Sequence, residues 1–163
     1  MAPRDAARLY LKCAHDFGRV KFAAAAGLGD FCAAADKVVN AADVAGLALF
    51  AGIAAEPRPD DIAARAMHLV AVLREFRGSA HLVAVLASGL EPRVAHYLRR
   101  PNDYTTFGWP DPTPDVTDAD RARLKAADEL TDQLVGPAYT VLTPDERVAV
   151  LAGLAVMQTA LAA

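Results

Sequence analysis

Charged and titratable side chains that interrupt apolar helical runs are where this chain could do chemistry. In the stretch from Met67 to Leu90, MHLVAVLREFRGSAHLVAVLASGL, the charged residues Arg74, Glu75 and Arg77 and the histidine His81 surround Gly78. Such groups are costly near a core unless they are paired or used. Arg74 and Arg77 suit the clamping of a carboxylate or phosphate. His81, tuned by Glu75, suits acid or base work. His68 lies on the helix face of Glu75 two turns earlier, about 10 Å away, so the two would flank a ligand without bonding each other. The catalytic candidates are therefore His68, Glu75 and His81. The ligand-binding candidates are Arg74, Arg77 and His81, joined by Trp109 and Asp132. A plainer alternative stays open, in which Glu75 and Arg77 finish one helix and His81 opens the next.

Trp109 is the single tryptophan and stands between Gly108 and Pro110. It offers a flat apolar face and one donor, to plug a core or cap a pocket. Thr131 and Asp132 fall mid-helix, where a solvated face is the simpler account. No metal is expected, because the spacings separating His68, His81 and His96 match no usual ligand set. No cofactor is expected either: phosphate-loop and dinucleotide fingerprints are absent, and neither Ser79 nor Ser88 has a nucleophile-elbow context.

The elements that must position these groups are helical. The 163 residues are 54% hydrophobic and 23% charged, a globular composition enriched in alanine. Apolar residues at helical spacing run from about Arg4 to Ala26. Asp30 is placed to cap a second helix, and VAGLALFAGIAA (44–55) is apolar on nearly all sides, as in a buried run. After Glu56-Pro57-Arg58-Pro59, Asp60 is placed to cap a helix with the stripe Ile62, Ala66, Leu69, Val70, Leu73, Phe76, ended by Gly78. Short helices over 79–88 and 91–100 follow. The stretch 101–114 reads as a Pro-rich loop with a residual hairpin at Tyr104–Phe107. Thr117 with Asp120, and Thr143-Pro144 with Glu146, open two long terminal helices, the first bent or broken at Gly136-Pro137.

This order predicts a mainly all-α, winged-helix or helix-turn-helix-like single domain, with its wing reduced to the Pro-rich loop. Its parts are an N-terminal helical dimerisation part (1–56), a helix-turn-helix-like core (60–118) and C-terminal helices (118–163). The reading helix would be EPRVAHYLRR, presenting Arg93, His96, Arg99 and Arg100 to DNA. Val94, Ala95 and Leu98 occupy much of it, and Glu91 would face a phosphate. From Ser79 to Pro114 the three arginines are balanced by Glu91, Asp103 and Asp111. A DNA-reading face carries a basic excess, and the whole chain has a net charge of −3, so DNA is the weaker partner reading.

The ending VTDADRARLKAADELTDQLVGPAYTVLTPDERVAVLAGL is similar to the tail of MarR-type winged-helix regulators, whose terminal helices build a dimer. A closer resemblance is to a bacterial family known only as helix-turn-helix proteins. Its pattern runs H-A-A-T-L-L-R-E-H-R-G-D-G-H-V-A-A-L, then A-G-L, G-W and T-D. The chain supplies His68, Leu73-Arg74-Glu75, Arg77-Gly78, His81-Leu82-Val83-Ala84, Ser88-Gly89-Leu90, Gly108-Trp109 and Thr131-Asp132. It departs at Phe76, where the family has histidine, and at Ser79-Ala80, where it has Asp-Gly. Family members are longer, so the resemblance implies that a chain of this length completes a site by dimerising.

These features together predict a MarR-like homodimer that binds a small organic ligand, regulator-like, with weak or absent DNA binding. The alternatives are an enzyme or accessory protein of small-molecule metabolism using Arg74, Glu75, Arg77 and His81, and an interaction module completed by a partner chain. Cys13 and Cys32 lack metal spacing and are expected as buried, reduced thiols. No apolar run reaches the ~20 residues of a membrane span, and the start lacks a signal-peptide core. A cytoplasmic location and no membrane partner are expected.

Overall fold

A computed structural model describes residues 2–109 and 113–162. Among these the regular structure is entirely helical. Seven α-helices follow in order: α1 (Pro3–Lys21), α2 (Leu28–Ala41), α3 (Ala48–Ala54), α4 (Ile62–Ala87), α5 (Pro92–Arg99), α6 (Asp118–Tyr139) and α7 (Pro144–Ala162). Single 3-10 turns at Pro101–Asp103 and Thr105–Phe107 separate α5 from α6. They take the place of the hairpin expected at Tyr104–Phe107. Pro110, Asp111 and Pro112, the centre of the expected wing, lie outside the described residues.

The chain forms two compact units, one of residues 1–77 with 136–163 and one of residues 78–135. In the first, Phe31, Ala34, Ala35 and Val38 of α2, Phe50 of α3 and Leu69 of α4 are fully buried. Two glycines permit close helix approach. A Cβ on Gly18 would meet the Ala63 carbonyl oxygen and the Met67 Cβ at 2.7 Å, and one on Gly153 would meet the Phe31 Cβ at 2.5 Å. Helix α1 thus lies against α4, and α7 against α2. Asp61, not Asp60, caps α4, accepting from the Ala64 N–H at 2.9 Å. Asp30 sits inside the first turn of α2, and left-handed Gly27 precedes that helix. The 44–55 run is only half buried: Phe50 and Ile53 face inward, whereas Leu49 is 58% exposed.

In the second unit, Ala84, Val85, Leu90, Ala95 and Ala127 form the core, flanked by Val94, Leu124 and Leu130. Both expected capping boxes form. The Thr117 and Asp120 side chains each accept from the other's N–H, and Thr143 and Glu146 do the same. Helix α6 runs through Pro137 and is not broken at Gly136-Pro137.

Two expectations fail for identifiable reasons. Gly78 does not end a helix; α4 is continuous from Ile62 to Ala87. A glycine inside a helix costs about 1 kcal/mol. Buried Phe76, Ala80 and Ala84, spaced four apart, keep one stripe packed across it and outweigh that cost. The cysteines also differ from each other. Cys32 is buried, and burial pushes its thiol up to about 11, but Cys13 is exposed.

Candidate functional site

Because α4 does not turn at Gly78, the expected corner does not exist. Arg74 pairs with its neighbour Glu75, the arginine exposed and the glutamate largely covered. Arg77 is exposed. His81 lies about one and a half turns beyond Glu75 on the same helix and reaches a different element. Its Nδ1 lies 2.9 Å from Thr131 Oγ1 and 3.8 Å from Asp128 Oδ1. Thr131 is fully buried and donates its hydroxyl to the Ala127 carbonyl at 2.6 Å. The threonine proton is therefore spent, so His81 donates from Nδ1. Asp132, beside Thr131, is exposed.

His68 is 1% exposed and sits in the first unit. Its Nδ1 lies 2.9 Å from Nε2 of His15, a residue of α1 that the sequence reading did not single out. One ring donates and the other accepts, so the pair is satisfied only when the facing nitrogens share one proton. Burial first, then His15 and Arg58, lower the His68 pKa to about 4. Burial and Arg19 also lower that of His15. Asp36, between Arg58 and Arg65, is the counter-charge near His68. Among the described residues no group of three such side chains is placed to hold a metal ion.

The second unit contains a helix, a short turn and a helix. Helix α4 ends at Ala87, Gly89 adopts φ 66°, and α5 begins at Pro92. Only glycine takes that left-handed conformation cheaply. Leu90 and Ala95 tuck under the turn against Ala84 and Val85. Glu91 caps α5, accepting from the Arg93 and Val94 N–H groups at 3.2 Å. A turn of this length with a glycine in it, between two helices sharing a core, is the helix-turn-helix arrangement. A family model described as a helix-turn-helix family matches residues 1–111, which takes in α1 to α5. The chain belongs to this helix-turn-helix family. No curated protein and no solved structure matches it.

In a helix-turn-helix that binds DNA the second helix enters the groove, and α5 is the helix that follows the turn here. Its basic side chains are already engaged within their own unit. Arg93 bonds the hydroxyl of fully buried Tyr104. The His96 ring lies edge-on to Phe107 at 4.8 Å and to Trp109 at 4.9 Å. Trp109 in turn stacks on Phe107 and leans on Tyr104, so the tryptophan packs against α5. Arg99 pairs with Asp128 of α6, and Arg100 lies 3.6 Å from Asp103.

The sequence reading also missed a buried acid, Glu56, gripped by Arg4 and Arg8 of α1 at 2.7 and 2.9 Å. The only sequence signal was the spacing of Arg4 and Arg8, one helical turn apart.

Proposed function

We propose a MarR-like, regulator-type helix-turn-helix protein that works as a homodimer, binds a small organic ligand, and holds DNA weakly or not at all. The observation that carries this reading is the engagement of Arg93, His96, Arg99 and Arg100 by Tyr104, Phe107, Trp109, Asp103 and Asp128. A reading helix must release such groups to reach base edges and phosphates, which sets their internal contacts against DNA affinity. The net charge of −3 adds long-range repulsion from a polyanion.

Helix α7 supports the dimer. After Arg147 it carries no charged residue. Gly153 and Met157 are buried, while Val148, Leu151, Leu154 and Leu161 are 65, 68, 44 and 43% exposed. A helix apolar all round is normally buried all round. Leu151, Leu154, Gln158 and Leu161 follow the alternating four-and-three spacing of a helix-pairing seam. Gln158, the one polar group in that seam, has both a donor and an acceptor and can pair with its own copy across a two-fold axis.

A gel shift with DNA from beside the protein's own coding sequence tests the reading. The expected result is no shift at 150 mM salt and at most a weak, sequence-tolerant one at 25 mM. A nanomolar, sequence-specific shift at physiological salt would overturn it, since specific readers reach about 10⁻⁸ M or tighter there.

A further inference from the structure

Glu56 lies just beyond the end of α3, and its side chain is 4% exposed. Its two carboxylate oxygens accept from Arg4 Nε and Arg8 Nε respectively. Those hydrogen bonds, Arg8 first and then Arg4, hold its pKa below the usual carboxylate value. The acid therefore stays ionised, and the trio carries one net positive charge. Each arginine uses only its Nε edge here. The two side chains are 66 and 55% exposed, so solvent reaches guanidinium groups whose orientation is already fixed.

Beside this trio, α1 and α3 bound a groove of about 390 Å³, lined by Ala7, Leu49, Gly52 and Ile53 together with Arg4 and Glu56. That volume falls within the ~300–1,000 Å³ of small-ligand sites. The lining is aliphatic, and a Cβ placed on Gly52 would meet nothing within 4 Å. A helical glycine costs stability relative to alanine, and no packing contact accounts for this one. Its missing side chain leaves the groove open.

We propose that this groove binds an organic acid with an aliphatic body, its carboxylate held by the exposed edge of Arg4, which lines the groove. The inference rests on the small-ligand reading above and gives that ligand a chemical class and a place. The Arg4 guanidinium, its Nε edge anchored on Glu56, keeps N–H groups that match the planar geometry of a carboxylate. Alkyl amines are disfavoured, because the single buried acid is already spent on two cations.

Calorimetry on the full chain tests this with octanoate, octylamine and octanol, each below its aggregation threshold. Octanoate is expected to bind saturably, one per chain, and octylamine not at all. Gly52→Leu fills the groove and should weaken octanoate by about tenfold or more, with the helical circular-dichroism signal retained. Arg4→Gln, which leaves Arg8 on Glu56, should weaken octanoate while leaving the weaker octanol affinity unchanged. Octylamine binding as tightly as octanoate, or no saturable octanoate binding to the wild type, overturns the proposal. Octanoate binding undiminished in Gly52→Leu overturns the groove and leaves the small-ligand reading standing. Tight, specific DNA binding overturns the regulator reading and leaves the groove's affinity as measured.

Discussion

Burial and the hydrogen bond to His15 make His68 the residue whose protonation matters most to stability. Its folded pKa of about 4 lies below the ordinary imidazole value of 6.5. Between these values the unfolded chain binds the proton that the folded chain refuses. Stability is therefore full above pH 6.5 and is lost as pH falls towards 4, by up to about 3 kcal/mol from this group. Thermal melts from pH 7 to 4 should show the falling midpoint. His68→Gln should flatten that slope while lowering the midpoint at pH 7; an unchanged slope would show that His68 is not the group responsible. The acid-base role first suggested for this residue fits poorly, because its neighbours disfavour the charged form.

At the scale of elements, the bend between helices lies at Gly89, eleven residues beyond Gly78. Gly89 has φ 66° and open space around a would-be Cβ. Gly89→Ala should therefore cost about 1–2 kcal/mol from backbone strain alone, and Gly89→Asn less, since asparagine tolerates the left-handed region. Urea denaturation would check both, and equal stability of Gly89→Ala and wild type would contradict this turn. Sequence punctuation did not separate the two glycines, because each follows an apolar helical run. What separates them is burial on both sides: Phe76 and Ala80 straddle Gly78 on one packed stripe, so breaking the helix there would forfeit that packing. The same logic carries α6 through Pro137, with Ala138 still buried beyond it.

For the whole molecule, the homodimer we propose rests on the exposed apolar face of α7. Stable interfaces bury roughly 800 Å² per partner, and light scattering should give a dimer at micromolar concentration. Leu151→Glu with Leu154→Glu would place like charges across the two-fold seam. That variant should be monomeric yet folded, since both side chains are exposed. A wild type that stays monomeric at high concentration would remove the dimer. None of the described helices is long and apolar enough to cross a membrane.

Local sequence was sufficient for much of this molecule. Alanine-rich composition and three-to-four spacing determined the helical class. Thr117 with Asp120 and Thr143 with Glu146 marked the starts of α6 and α7, because a capping box is made within four residues. Gly89 and then Pro92 marked the turn between α4 and α5. Tertiary structure alone decided the partners of the titratable groups. His15 and His68 are 53 residues apart, and Arg4 and Glu56 are 52 apart. No local pattern encodes a hydrogen bond between distant helices. The charged residues around Gly78 looked like one cluster because they are adjacent in sequence. On a continuous helix, adjacency points side chains about 100° apart; Arg74 still pairs with Glu75, whereas His81 meets Thr131 fifty residues away.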